Sequence, residues 1–336
     1  MNIFSLFMER NGAMNGTLYP EKNTIKLSDN LQPRENMLCF IPRKKRTPVN
    51  YSRRQNIRTR KETTMPIQAD CHLHSSFSGD SHTPMEEMIL QGISQGLDTL
   101  CFTEHNDFDF PDAPDLKGES FLLNVDSYLY DLARLKEKYA GKIRLLFGVE
   151  LGLQPEAMRR NAVFAKSSEF DFIIGSTHVC RGQDPYYPAF YEGRSDGEAY
   201  LEYFESVLEN IVKFSNFDVC GHLDYVVRYG RTKDTEYSYL KYRDILDEIL
   251  RQLLDKGKGI ELNTGGIESG MRDFHPCADI LRRYRELGGE IVTVGSDSHN
   301  TENMAAHFSR AAEVLKACGF EYYCVFEKRS PEFHRL

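Results

Sequence analysis

Short apolar runs alternate with amphipathic stretches from residue 65 onward, as in chains whose strands alternate with helices. Strands are predicted at residues 65–69, 99–103, 143–149, 172–177, 217–221, 259–262 and 291–296. Helices are predicted at residues 84–95, 125–139, 197–214, 244–256, 278–287 and 301–318. Because strand–helix–strand crossovers are right-handed, this alternation implies a parallel sheet. Seven strands with polar residues at their carboxyl ends favour an α/β fold, a distorted (β/α)7 barrel, over an open sheet.

The first predicted helix carries its own boundary signals. Thr83 is suited to the N-cap and Pro84 to the first turn, and Glu86 completes a capping box. Gly96 is placed to end the helix. The sequence therefore predicts that the Thr83 hydroxyl caps this helix.

Histidines and carboxylates gather where the predicted strands end. Six of the ten histidines lie there, namely His72, His74, His105, His178, His222 and His299. Glu150 and Asp297 also follow strands directly. His72 and His74 are spaced i and i+2, so an extended chain directs both to one side. Six imidazoles at one barrel mouth are hard to satisfy without metal, since each ring has two nitrogens that need partners.

The composition bounds the class of protein. With 336 residues, 40% of them hydrophobic, the chain can bury a substantial core in one large domain. No apolar run reaches the roughly 18 residues of a membrane helix, and the N-terminus lacks a signal-peptide pattern. None of the eight cysteines forms a C-x-x-C pair, so we expect a cytoplasmic protein with reduced thiols. Dinucleotide-binding and P-loop motifs are absent from the sequence.

Residues 1–64 differ in charge from the rest of the chain. They carry 13 Lys and Arg against 5 Asp and Glu, a net charge of +8, whereas the remainder carries −16. A basic arm for nucleic acid or a membrane is one interpretation. We favour a disordered extension, or an upstream-extended reading frame in which Met65 is the natural start, followed by one domain over residues 65–336. The acidic main body makes nucleic acid a poor partner.

Six ordered motifs carry a resemblance to a known family. They are D-x-H-x-H with an aspartate six residues on, F-T-E-H, G-V-E, S-T-H, G-H-L-D and S-D-S-H. Over about residues 65–330 the chain thereby resembles the polymerase and histidinol phosphatase (PHP) family. The segments H-L-D-Y-V-V-R-Y-G at 222–230 and N-T-G-G at 263–266 are similar to its monofunctional histidinol-phosphate phosphatases.

The resemblance implies three divalent metal ions, Zn, Mn or Fe, whose ligands carry over position by position. The first ion would take His72, His74, Glu150 and Asp297, the second Glu150, His178 and His222, and the third Asp80, His105 and His299. Some family members have histidine where Asp80 stands. Two ions that share the Glu150 carboxylate can hold a hydroxide at neutral pH. That hydroxide would attack phosphorus in line, without a phosphoenzyme.

A phosphate monoester also needs a guanidinium fork. Arg228 with Tyr229 is the first candidate, by resemblance and because it closely follows a predicted ligand. Arg272 is the second candidate and Arg181 the third. For any single arginine the alternative is a surface salt bridge, and only for Arg228 do we favour substrate binding.

Several further polar residues have open roles. Glu104 could orient a ligand or contact the substrate amine, and Asp224 could position a ligand or act as a general acid. Adjacent residues of a strand point to opposite faces, which weakens both assignments. Asn263 could reach the barrel mouth, whereas Asp107 and Asp109 are predicted to be loop residues that cap or solvate.

Three functions follow from these patterns. The first is metal-dependent hydrolysis of L-histidinol phosphate, a small-molecule phosphate ester, to L-histidinol and phosphate in histidine biosynthesis. The second is a PHP phosphoesterase that acts on another small or nucleotide-derived phosphate. The third is a basic-armed binding protein on an inactive barrel, against which the intact ligand set argues. The sequence alone gives neither the metal's identity nor the oligomeric state.

Overall fold

The computed structural model describes residues 66–112 and 120–336. Within them, seven parallel strands form one nearly closed, barrel-shaped sheet in chain order. These are β1 (Ala69–Leu73), β2 (Thr99–Asn106), β3 (Arg144–Gly152), β4 (Phe172–Ser176), β5 (Val219–Cys220), β6 (Gly259–Asn263) and β7 (Val292–Gly295). The predicted (β/α)7 architecture is confirmed. The expectations for residues 1–64 and for Met65 lie outside the described residues.

Helices connect the strands and cover the sheet. Those in the described residues are α1 (Met85–Gln95), α2 (Val125–Lys138), α3 (Met158–Phe164), α4 (Asp196–Lys213), α5 (Arg243–Asp255), α6 (Gly265–Glu268), α7 (Ala278–Glu286) and α8 (Phe308–Ala317). In α5, Ile245, Ile249 and Leu253 are buried at helical spacing, whereas Asp244, Arg251 and Asp255 are exposed. Between residues 66 and 336, as far as the structure describes them, none of the helices combines the length and the apolar character that a bilayer span requires.

The sheet closes where its first and last strands meet. The Asp297 amide donates to the His72 carbonyl at 2.8 Å, and the His74 amide donates to the Ser298 carbonyl at 2.9 Å. The buried Asp70 carboxylate accepts from Ser296 Oγ at 2.6 Å. The seam between β1 and β7 is therefore held by the same segments that carry predicted metal ligands.

A C-terminal hairpin of β8 (Tyr322–Glu327) and β9 (Ser330–Arg335) lies across the amino ends of the barrel strands. Arg329 Nε donates to Asp218 Oδ2 at 2.5 Å just before β5, and the Arg329 amide donates to the Asp171 carbonyl at 2.8 Å just before β4. Arg144, at the start of β3, pairs with Glu327 at 2.7 Å. This hairpin, which the sequence did not predict, leaves the carboxyl ends of the strands open for a site.

Three local predictions were wrong. Strand β1 begins at Ala69 rather than residue 65, so His72 lies within it. Helix α1 has no side-chain cap, because the Thr83 hydroxyl donates to the His299 carbonyl at 3.2 Å. Helix α8 begins only at Phe308, since His307 has a φ of 64°, outside the α-helical region.

Candidate metal centre

Four donors converge across the seam at the carboxyl ends of β1 and β7. The Nε2 atoms of His72 and His74 lie 3.1 Å apart, so both rings face one side, as predicted. Asp297 Oδ1 lies 3.4 Å from each of these nitrogens. Glu150 Oε2, from β3, lies 3.2 Å from His72 Nε2 and 3.6 Å from His74 Nε2. Asp297 has a φ of 56°, a left-handed backbone that clusters at functional sites in non-glycine residues.

The same glutamate belongs to a second group of donors. Its Oε1 lies 3.2 Å from His178 Nε2 and 2.9 Å from His222 Nε2. The two ring nitrogens are 3.4 Å apart. Ser176 Oγ donates to Glu150 Oε1 at 2.6 Å and fixes the carboxylate. Glu150, which is fully buried, thus presents one oxygen to each group.

A third group lies nearer the solvent. Asp80 Oδ2 is 3.1 Å from His299 Nε2 and 3.5 Å from His105 Nε2. The rings of His105 and His299 stack on His74 with centroids 4.2 and 4.3 Å away. The Asp80 side chain is 35% exposed, so this end of the cluster is open. The nine predicted ligands therefore lie together in the structure.

Carboxylates behind two of the histidines set the direction in which the rings point. Glu261 Oε1 lies 2.6 Å from His72 Nδ1, and Asp107 Oδ1 lies 2.7 Å from His178 Nδ1. Such partners fix which ring nitrogen faces a metal. The prediction that Asp107 is a solvating loop residue was wrong, since it is only 2% exposed. Glu261 was missed, although a carboxylate inside the apolar run of β6 was a usable signal.

Two glycines make room for these carboxylates. A Cβ at Gly152 would lie 1.9 Å from Asp107 Oδ1. A Cβ at Gly295 would lie 2.2 Å from the Cβ of His72 and 2.7 Å from Glu261 Oε1. Any larger residue at either position would therefore displace a group that touches a predicted ligand.

The electrostatics of the cluster shift its pKa values strongly. Burial opposes protonation of His178, but the Asp107 and Glu150 carboxylates raise its pKa to about 10. Burial, together with neighbouring imidazoles, lowers the pKa of His74 to about 3. Burial would raise the pKa of Glu150, yet the surrounding histidines hold it well below its usual value. Protonated imidazole rings such as that of His178 thus balance the negative charge of the buried carboxylates. A bound metal cation would supply this positive charge instead.

The residues present suit divalent metal ions. Four buried atoms of the nine predicted ligands make no hydrogen bond of good geometry to the described residues, namely Glu150 Oε2, His105 Nδ1, His222 Nδ1 and His299 Nε2. Several triads of nitrogen and carboxylate donors lie within 4.8 Å of one another, including Glu150 with His178 and His222. Imidazole nitrogens and carboxylate oxygens are ligands of Zn, Mn and Fe. The donor set therefore fits the metals expected from the sequence.

Comparison with known proteins decides the family. The family model described as PHP domain matches residues 70–265, more than half of the chain. The chain belongs to the PHP family. The match includes most of the cluster, from His72 to His222, and the resemblance inferred from the sequence motifs is confirmed.

Individual relatives are similar to this chain over most of their length. Histidinol-phosphatase of Lactococcus lactis is 34% identical over 259 residues, which cover 76% of this chain and 93% of that protein. The protein of Clostridium acetobutylicum named "Probable histidinol-phosphatase" is 33% identical over 260 residues, 77% of this chain and 97% of that protein. The crystal structure of the Lactococcus lactis histidinol phosphate phosphatase, complexed with Zn, L-histidinol and phosphate, matches with a TM-score of 0.71 at 32% identity. It covers 79% of this chain and 98% of that chain.

A cavity of about 280 Å³ opens beside the predicted metal ligands of this PHP domain. Its lining consists of Asp80, His105, Phe110, Phe121, His178, Asp184, Tyr186, Tyr187, His222, Tyr225, Arg228, Tyr229, Asp297 and His299. The Arg228 guanidinium carbon lies 5.1 Å from the ring centre of Tyr225 and 5.8 Å from that of Tyr229. Its Nη2 lies 3.4 Å from Asp297 Oδ2. The cavity is therefore lined by one fixed cation, six of the predicted metal ligands and several aromatic rings.

The other two predicted arginines do not line this cavity. Arg181 Nη1 donates to Glu209 Oε2 at 2.5 Å on the outer surface. Arg272 is exposed, and its amide donates to Asp234 Oδ2 at 2.6 Å. Neither side chain lines the cavity, so the structure gives them no role in the site.

The two carboxylates with open roles also lie outside the cavity lining. Glu104 is fully buried and accepts hydrogen bonds from Ser75 Oγ at 2.5 Å and Ser78 Oγ at 2.6 Å. It holds the loop that follows β1, and contact with a substrate amine finds no support. Asp224 is fully buried against His275 at 2.6 Å, which disfavours a general acid and leaves a positioning role.

Proposed function

We propose that this chain hydrolyses L-histidinol phosphate to L-histidinol and inorganic phosphate. The observation that carries the proposal is that the nine candidate metal ligands form one cluster, and that six of them line the same cavity as the Arg228 guanidinium and several aromatic rings. The substrate has a phosphate at one end and an imidazole at the other, which suits a cavity lined by a guanidinium, imidazole and carboxylate donors and aromatic rings. The related Lactococcus lactis enzyme, crystallised with Zn, L-histidinol and phosphate, supports the same substrate.

We further propose three divalent metal ions, with the ligand groups described above. His72, His74, Glu150 and Asp297 would hold one ion, Glu150, His178 and His222 the next, and Asp80, His105 and His299 the third. The shared glutamate supports adjacent ions, because its two oxygens face different groups. When bound, the ions supply Lewis acidity that acidifies water and neutralises phosphoryl oxygens.

The chain's own residues prepare the site for a phosphate ester. Arg228 is a cation at every accessible pH, and its planar fork suits phosphate oxygens. The rings of Tyr225 and Tyr229 hold this guanidinium at the cavity wall. Phe110 and Phe121, whose ring centres are 4.4 Å apart, also line the cavity and reduce the space for water. Charged groups in such a partly dry cavity interact more strongly with a transition state than they would in water.

Phosphate release measures this function directly. The purified full chain, loaded in turn with Zn²⁺, Mn²⁺ and Fe²⁺, is assayed on L-histidinol phosphate and on a panel of sugar and nucleotide monophosphates. We expect kcat/KM for L-histidinol phosphate to exceed the others by at least about tenfold. Equal or better cleavage of another ester would show that the chain is a PHP phosphoesterase with a different substrate. No hydrolysis with any metal, despite metal uptake shown by elemental analysis, would overturn the proposal.

We also propose that residues 65–336 form the catalytic domain. The PHP match at 70–265 and the coverage of the Lactococcus lactis relative support these bounds. A variant that begins at Met65 is expected to keep the kcat/KM of the full chain. A large loss of activity in a variant that still binds metal would contradict this division.

A further inference from the structure

A buried histidine stands directly behind the arginine of the cavity. Arg228 Nε donates to His275 Nε2 at 3.2 Å, and the His275 side chain is fully buried. Since a guanidinium only donates hydrogen bonds, His275 Nε2 has to be the acceptor. A neutral ring that accepts at Nε2 carries its proton on Nδ1. The arginine therefore selects one tautomer of His275.

The other side of the ring faces a carboxylate that matches this tautomer. His275 Nδ1 lies 2.6 Å from Asp224 Oδ1. Asp224 Oδ2 accepts from the Tyr237 hydroxyl at 3.0 Å and from the Cys277 amide at 3.1 Å. Burial and the Arg228 cation keep the pKa of His275 below its ordinary value, although the carboxylate opposes them. Asp224, His275 and Arg228 thus form a continuous chain of hydrogen bonds.

The backbone and packing leave the His275 ring little freedom. Its amide and carbonyl both pair with Asn263 at the end of β6, at 3.0 and 2.7 Å. A Cβ at Gly266 would lie 2.8 Å from His275 Cδ2 and 2.9 Å from Nε2, so glycine is needed beside the ring. A rigid acceptor is thereby presented to Arg228 from behind the cavity wall.

We propose that Asp224 and His275 are positioning residues that aim the Arg228 guanidinium at the phosphate of the substrate. The bond to His275 engages Nε rather than the terminal nitrogens. Of these, Nη2 lies 3.4 Å from Asp297 Oδ2, and the Arg228 side chain lines the cavity. Holding the guanidinium in advance removes the entropy cost of ordering a long side chain when phosphate binds. This inference rests on the proposed phosphatase function.

The alternative role of His275 is that of a general acid, which would donate a proton to the leaving group. The geometry disfavours it, because the ring does not line the cavity and its Nε2 is already engaged by Arg228. The two roles differ in their consequences. A positioning residue acts only through Arg228, whereas a general acid acts on kcat, on the pH profile and most strongly on esters with poor leaving groups.

A matched pair of variants tests the role of His275. His275→Gln keeps an acceptor near the Nε2 position, whereas His275→Met has a similar length and only a weak acceptor. Each is made alone and combined with Arg228→Ala, and kcat, KM and the inhibition constant of inorganic phosphate are measured. We expect His275→Met to weaken phosphate binding about tenfold to hundredfold, the effect of losing one hydrogen bond to a charged group. We expect His275→Gln to recover most of that loss.

The double variants decide between the roles. In the Arg228→Ala background, His275→Met is expected to have no further effect, with pH profile and metal content unchanged. The proposal would be overturned if the losses in the double variants were additive, or if His275→Gln and His275→Met behaved alike. A shifted pH profile or a loss of bound metal would overturn it as well. Calorimetric binding of inorganic phosphate to the metal-loaded protein gives the same test without turnover. The positioning role can therefore be judged even if L-histidinol phosphate proves not to be the substrate.

Discussion

Glu261→Gln tests how much Glu261 contributes to metal binding. The Glu261 carboxylate is not a proposed ligand, but it contacts the proposed ligands His72 and His222. Glu261 is 1% exposed, and its Oε1 lies 2.6 Å from His72 Nδ1. Its Oε2 accepts from the His222 amide at 2.9 Å and from Asn263 Nδ2 at 3.2 Å. Glutamine keeps the shape of the side chain but removes its charge. Its NH₂ group, which only donates, would also face a group that now donates to the carboxylate.

The size of the effect follows from these contacts. A hydrogen bond to a charged group contributes about 1.5–3 kcal/mol, which corresponds to about tenfold to 150-fold in a dissociation constant. Carboxylates that orient metal-binding histidines typically contribute about 10–100-fold to affinity. We therefore expect Glu261→Gln to weaken zinc binding by about 10–100-fold, measured by competition with a chromogenic chelator after metal removal.

A control separates this effect from general loss of stability. Asp247 in α5 is 3% exposed and accepts from Arg283 Nη2 at 2.8 Å and from the Tyr239 hydroxyl at 2.6 Å, with no contact to the cluster. Asp247→Asn should lower the melting temperature but leave zinc affinity unchanged. Wild-type affinity in Glu261→Gln, or an equal loss in Asp247→Asn, would refute the reasoning.

Three further predictions follow from the site. Glu150→Gln should lower kcat/KM by at least about 100-fold with an unchanged circular dichroism spectrum, and near wild-type turnover would remove Glu150 from the centre. Gly152→Ala should displace Asp107, whose Oδ1 would lie 1.9 Å from the new Cβ, and so speed metal loss to a chelator; a wild-type loss rate would contradict this. In the metal-free protein, the folded-state pKa of His178, about 10, lies above the ordinary 6.5, so stability present below pH 6.5 is lost as the pH rises toward 10. Thermal melts of stripped and zinc-loaded protein should show this decline in the stripped form, and a flat profile there would count against it.

The sequence predicted those parts of the fold that depend on local pattern. Apolar runs gave the positions of β4 and β6 and the start of β2 closely, because these strands are buried on both faces and so are mostly apolar. Histidines that end strands identified the cluster, since parallel strands bring their carboxyl ends to one edge. The C-terminal hairpin escaped notice because its strand β9 is largely exposed and alternates weakly.

Residues that act behind the site were harder to predict. His275 follows no strand, and its contact with Asp224 joins positions 51 residues apart in the chain. Asp107 lies 71 residues from its partner His178. Spacing rules describe neighbours within one element, whereas these pairs depend on how different loops pack. Arg181 shows the converse, because a position after a strand did not bring its side chain to the mouth of the barrel.

The seam between β1 and β7 links metal capture to the order in which the chain is made. Asp70 and Ser296, which meet there, are separated by 226 residues in the sequence. Synthesis delivers His72 and His74 early, but Asp297 emerges only when most of the barrel already exists. A nascent chain therefore lacks the complete ligand group proposed for the first ion until its last barrel strand is in place. Uptake of that ion would then join the beginning of the barrel to its end, and would mark the completion of folding.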